Sequence, residues 1–253
     1  MNRIKYYKSF DQDFSESKQQ DYKLPDDYQW INPKLSHRII SALLYPIIII
    51  FVFCYQKFYA HVKIVNKKVL KKAKKQGYFL YSSHTQVFGD VVNHFITTFP
   101  THPYLICSPA NLGIVAIGRQ LPLMGALPIP DNIHQLQQFN SAIKTRIQQK
   151  KVVVTYPEAH VWPWYTGIRP MNVAAFHYPA TINAPVFVAT TTYQKSKFHK
   201  KPKITIYVDG PIRAPKDLPR KDKTHYYQEK ITETMQRRAN LSNYAYIEYK
   251  PKS

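Results

Sequence analysis

The chain has 253 residues, 44% of them hydrophobic, and carries 36 Lys/Arg against 15 Asp/Glu for a formal net charge of +21. Such a length and apolar content exclude full disorder and allow one sizeable core; the charge implies an anionic partner, whether nucleic acid, a membrane surface, or a phosphorylated or thioester-carrier substrate. With only Cys54 and Cys107, neither a disulfide framework nor a cysteine metal site is expected, and a reducing compartment is the simpler reading.

Residues 1–38 mix both signs of charge without sustained periodicity, so they read as a polar leader, poorly ordered or draped on the surface, and carrying no chemistry. The remainder holds +20 of the net charge. From Ile39 to Tyr55 run 17 residues without a charge, just short of the roughly 18 that signal a spanning helix. This predicts a membrane-associated segment over 39–60; the alternative is a buried core helix, since Pro46 would kink it and its β-branched residues read partly as strand. Eight lysines between Lys57 and Lys75 follow, each worth about 1 kcal/mol near anionic head groups. The same lysines place the rest of the chain, 61–253, on the cytoplasmic face of the cell membrane.

Short β-prone runs then recur at Tyr78–Ser83, Tyr104–Ser108, Val152–Tyr156, Val186–Thr192 and Ile204–Val208. Helical patterns fall between them at Val87–Thr97 and, behind an Asp131-Asn132 cap, at Asn132–Gln149; a polar basic helix is expected at Lys223–Asn240. Continuous apolar strands imply a sheet covered on both faces. The alternation predicts an α/β fold with a mixed, largely parallel sheet flanked by helices, preceded by the membrane-associated helical segment.

Three stretches carry candidate chemistry. In HTQVFGD, His84 directly follows a predicted strand and Asp90 opens the next helix, a junction where α/β sites assemble. An imidazole there can take a proton from a hydroxyl if a carboxylate fixes its tautomer, and Gly89 would help the five intervening residues curl back. In YPEAHVWPWYTGIRP, Glu158 can accept from a polyol hydroxyl and Arg169 can donate to phosphate, while Trp162, Trp164 and Tyr165 suit either a membrane interface or core packing. In GIVAIGRQLPLMGALPIP, Arg119 is the only charge between Asp90 and Asp131 and needs an anionic partner, either a substrate phosphate or a protein carboxylate.

Taken in order, HTQVFGD, IGRQLPLMGALPIP, YPEA and APVFVA resemble the four-motif series of the glycerolipid (lysophosphatidate-type, 1-acylglycerol-3-phosphate) acyltransferase family over about residues 78–192. The resemblance implies His84 and Asp90 as the catalytic pair, Arg119 as a ligand of acceptor phosphate, Glu158 after Pro157 as an acceptor contact, and Pro185 in the hydrophobic fourth block. Two departures stand out. The family usually has four residues between His and Asp, where this chain has five. Its third block reads Phe-Pro-Glu-Gly-Thr-Arg, where this chain has Ala159, His160 and Val161 for Gly-Thr-Arg, leaving Arg169 as the candidate substitute for the missing arginine.

What the resemblance implies is acyl transfer from acyl-CoA, acyl-ACP or an acyl phosphate to the hydroxyl of a lysophospholipid in phospholipid biosynthesis, without metal or redox cofactor. The partners expected on that reading are membrane lipids, the lysophospholipid acceptor and an acyl carrier protein, with no nucleic acid. Two rivals remain open. A non-catalytic basic module binding anionic lipid or nucleic acid would use lysines mixed with tyrosine, as in YQKSKFHKKPK. A metal hydrolase would use His84, Asp90 and His94, the last two being four residues apart on one helix face.

Overall fold

The computed structural model describes residues 3–15, 22–73, 75–115, 117–197 and 199–252; leader residues 16–21 and Lys74 of the lysine-rich stretch lie outside the described residues. In chain order the elements are β1 (Arg3–Tyr7), α1 (Leu35–Cys54) with a π-helical extension over Tyr55–Ala60, β2 (Lys63–Val65), β3 (Tyr78–Ser82), α2 (Gly89–Thr98), β4 (Pro103–Cys107) and β5 (Ala126–Pro128). There follow α3 (Ile133–Gln148), β6 (Val152–Thr155), α4 (His177–Ile182), β7 (Val186–Gln194), β8 (Lys203–Ile212), α5 (Arg220–Ala239) and β9 (Ile247–Pro251). The five expected strands and three expected helices are present within a few residues of their predicted bounds.

Seven strands form one sheet in the order β2-β8-β7-β3-β6-β4-β5. Every pairing in it is parallel except β7 with β8, which is antiparallel. Period-two alternation divides each central strand between two cores. Phe79, Tyr81, Val153, Val186 and Val188 face α3, α4 and α5. Tyr78, Leu80, Val152, Val154, Phe187 and Ala189 face α1 and α2. Because both faces are covered, these strands read as continuous apolar runs, as the sequence predicts. Asn132 caps α3 by accepting from the Gln135 N–H at 3.0 Å. Asp131 instead accepts from the backbone of Leu24 at 3.0 Å.

The apolar segment is a helix, Pro46 included, and it stands neither free nor buried. Ile48 and Val52 pack under it against α2 and the sheet, while Ile39, Leu43, Ile47, Ile50, Phe51 and Phe53 on its outer side stay exposed. With its extension it is long and apolar enough to cross a membrane. Polar contacts tie it to the domain along its length: Ser41 Oγ donates to the Leu123 carbonyl at 2.7 Å, and Gln56 Nε2 to Asn93 Oδ1 at 2.9 Å.

The leader departs from expectation. More than a poorly ordered or surface-draped stretch, it supplies β1, which pairs in parallel with β9 as a second, two-stranded sheet, and Leu24 and Trp30, which enter the same core as α3. Its aromatic residues supply the apolar area that a charge count does not register. The divisions at 38 and 60 therefore mark changes in composition, not in packing.

Candidate functional site

His84 sits two residues beyond β3, at the carboxyl edge of the parallel strands. Three backbone bonds hold its strand end and loop. Ser83 N–H donates to the Ala189 carbonyl at 3.1 Å, Trp162 N–H to the His84 carbonyl at 3.2 Å, and Trp164 N–H to the Thr85 carbonyl at 2.8 Å. The five intervening residues do curl back: His84 Nδ1 lies 3.0 Å from Asp90 Oδ2, which also accepts the Gln86 N–H at 2.8 Å. Asp90 is 2% exposed and the His84 side chain 14%. With the carboxylate on Nδ1, the proton belongs on that nitrogen, and Nε2 is left with its lone pair and no partner among the described residues. The Tyr156 ring stacks on the imidazole at 4.3 Å, and its hydroxyl donates to the Asp90 carbonyl at 2.6 Å.

The longer His-to-Asp spacing is absorbed at Gly89. A Cβ there would fall 2.0 Å from Gln86 Oε1. The Gln86 side chain instead folds over this glycine and accepts from Asn93 Nδ2 at 3.1 Å, and Asn93 in turn accepts from Gln56. A buried amide chain thus runs from the end of the apolar helix to the His84 loop. Gln56 was the signal in sequence: a lone amide closing an apolar run. In the His84 loop and the first turn of α2, Val87, Phe88 and Val91 are exposed, and Tyr55 meets Phe88 at 5.3 Å.

Glu158 and Arg169 do come together, but facing each other. Glu158 Oε2 accepts the His84 N–H and its Oε1 the Arg169 N–H, both at 2.8 Å. The Arg169 guanidinium, 2% exposed as a residue, lies 3.5 Å from Glu158, donates to the carbonyls of His160 and Phe10, and sits over the Trp162 ring at 5.2 Å. The polar groups of both side chains are thus engaged with each other and with backbone rather than turned outward. Trp162 is fully buried, boxed by Tyr7, Phe10, Phe14 and Tyr249, with its Nε1 donating to the Gln12 carbonyl at 2.7 Å. The leader is therefore the cover of this loop. Ala159, where the resembled family has glycine, keeps the left-handed backbone with φ of 62°.

Arg119 is not brought to His84. It is exposed in a 3₁₀ turn, Gly118–Met124, and lines a cleft of about 400 Å³ together with His37, Tyr104 and Arg146, beside the edge strand β5. His94 does not join Asp90 either. Its ring is 1% exposed with both nitrogens unpaired, and burial, then the neighbouring His84, pushes its pKa down to about 3. Among the described residues no three His, Cys, Asp or Glu side chains gather as metal ligands.

The fold is thus a mixed, mostly parallel α/β sheet with helices on both faces and a candidate acid–base pair at its carboxyl edge. Among solved structures it is similar to the 1-acyl-sn-glycerophosphate (LPA) acyltransferase PlsC from Thermotoga maritima, with a TM-score of 0.57 and 11% sequence identity over 82% of this chain and 83% of that chain. At that identity the likeness is one of fold. No family model matches the chain, and no curated protein matches it in sequence.

Proposed function

We propose that this protein is a membrane-associated O-acyltransferase that moves a fatty acyl group from acyl-CoA, acyl-ACP or an acyl phosphate onto the hydroxyl of a lysophospholipid, at the cytoplasmic face of the membrane. The observation that carries the reading is the His84–Asp90 pair at 3.0 Å, with Nε2 unpartnered, on a fold similar to that of an LPA acyltransferase.

In this reaction Nε2 takes the proton of the acceptor hydroxyl as its oxygen attacks the acyl carbonyl, and Asp90 stabilises the imidazolium that forms. The tetrahedral intermediate collapses to the ester, and the leaving thiolate or phosphate takes the proton back from Nε2. In the first turn of α2 the Asp90 and Val92 N–H groups already donate to the Gln86 and Phe88 carbonyls at 3.3 Å, so the oxyanion falls to other backbone N–H groups of the loop that follows His84. Glu158 positions His84 through its backbone N–H. The exposed side chains of Val87, Phe88 and Val91, next to the apolar outer side of α1, suit acyl chains arriving from a bilayer.

The test is acyl transfer by membranes containing the full chain, with a panel of lysolipids and with both carrier-protein and coenzyme A thioesters. Transfer by the wild type that is lost in His84→Ala and Asp90→Asn, with membrane binding retained, supports the reading. Transfer indifferent to His84 sinks it.

A further inference from the structure

We propose that the cleft beside β5 binds the phosphate of an anionic membrane lipid other than the acyl acceptor, held between Arg119 and Arg146. That the lipid is not the acceptor rests on the reaction proposed above; that the cleft binds a lipid phosphate does not.

The cleft, of about 400 Å³, is built from four parts of the fold: His37 in the first turn of α1, Tyr104 on β4, Arg119 in the 3₁₀ turn and Arg146 near the end of α3. Its charges are unbalanced. Arg146 lies over the Tyr104 ring at 4.2 Å and donates from Nη1 to Gln149 at 3.0 Å, while its Nε is enclosed without a partner. Arg119 makes no hydrogen bond or ion pair among the described residues. Asp27 also lines the cleft, but no ion pair joins it to either arginine. An exposed guanidinium and a half-buried one sharing a concavity repel one another and retain unspent donors, and a phosphate answers both needs through paired N–H···O bonds. The same positive field reaches outward: burial, then Arg146, holds His37 below its ordinary pKa.

A lipid is favoured over a free ion by what borders the cleft. Next to His37 the apolar side chains of Leu35, Ile39 and Ile40 stand exposed on α1, so a phosphate in the cleft would leave its acyl chains against that helix. The acceptor of the proposed reaction is excluded by reach. Tyr104 and Leu127 lie two and three strands from β3, on the order of 10–14 Å at the usual strand spacing. In a lysophosphatidate the free hydroxyl oxygen is four bonds from phosphorus, about 5 Å at ordinary bond lengths.

The experiment is binding of the purified full chain to phosphatidylcholine vesicles with and without phosphatidylglycerol, for wild type, Arg119→Gln, Arg119→Gln/Arg146→Gln, and a control pair, Lys216→Gln/Lys221→Gln. The expected result is at least a tenfold loss of phosphatidylglycerol-dependent affinity in the double arginine variant and a smaller loss in Arg119→Gln. The lysine pair, which removes equal charge, should change it by less than twofold. Because Arg119 is exposed, its single variant keeps the test valid if Arg146→Gln fails to fold. Equal losses in the lysine pair, or none in either arginine variant, overturn the proposal. Inorganic phosphate alone binding as tightly as the vesicles makes the cleft a site for free phosphate and overturns the lipid assignment. Unchanged vesicle affinity with a raised acceptor KM in Arg119→Gln returns that residue to acceptor binding.

Discussion

The His84 corner and the cleft beside β5 are both polar clusters at the margin of one sheet, yet they handle charge in opposite ways. At the corner each buried carboxylate has its partners: Asp90 holds His84 and Gln86, and Glu158 holds two backbone N–H groups and Arg169. In the cleft two arginines and a histidine meet without an ion pair among the described residues. A balanced cluster is suited to an event in which charge appears only in passing, such as proton transfer. An unbalanced one is suited to a ligand that brings permanent charge with it.

Breaking the corner at its centre has the largest expected effect. His84→Ala should cut acyl transfer by roughly 10³–10⁴-fold, and Asp90→Asn by a similar factor through the wrong tautomer, with melting temperatures little changed. Single-turnover rates check this, and a loss below tenfold for either variant contradicts the assigned roles. Next comes the balance itself. Glu158→Gln strands a buried guanidinium and should cost about 3–5 kcal/mol of stability. Combining it with Arg169→Met should recover part of that loss in denaturant unfolding, and strictly additive costs would show that the two are not coupled.

Acidification probes both regions at once. Burial, then the charge of His84, brings His94 to about 3; burial again leads for His102, with the Pro103 carbonyl opposing it and Lys151 and Arg146 adding to it, and brings that ring to about 4. Folded values below the ordinary 6.5 mean that the unfolded chain binds more protons across the interval, so this stability is present above 6.5 and is lost as pH falls towards 4 and then 3. Urea midpoints measured from pH 7 to pH 4 should fall, and His102→Phe should flatten the decline. A decline of undiminished slope in that variant counts against a neutral buried His102. The smallest effect expected is a gain: Ala159→Gly relieves a left-handed backbone at φ of 62° and should stabilise by about 1 kcal/mol, read as a rise in melting temperature.

Legibility in the sequence followed the range of the interactions. The runs YFLYS, VVVT and VFVATTTYQ are apolar on both faces, so they announced β3, β6 and β7 without help from distant residues. His84 and Asp90 were legible because their partnership closes within one loop. Glu158 and Arg169 were visible as a charged pair, but whether they face solvent or each other depends on Trp162 and on Phe10, more than 150 positions away from Arg169. The leader was misread for the same reason, since Tyr7, Phe10 and Phe14 show no periodicity and gain order only against β9 and Trp162. At β5 the three residues Ala126–Pro128 are too few for a pattern, which also concealed where Arg119 would lie.

The pairing of β1 with β9, in register from Arg3 with Ile247 to Tyr7 with Pro251, sets a timetable for biosynthesis. While the nascent chain is threading out, the first strand has no mate, and the aromatic box around Trp162 lacks Tyr249. Only when residue 251 clears the ribosome can β1 and β9 clasp and the cover close over the loop that carries Glu158. The apolar helix is made well before that closure, whereas the loop beside the His84 corner is braced only after it.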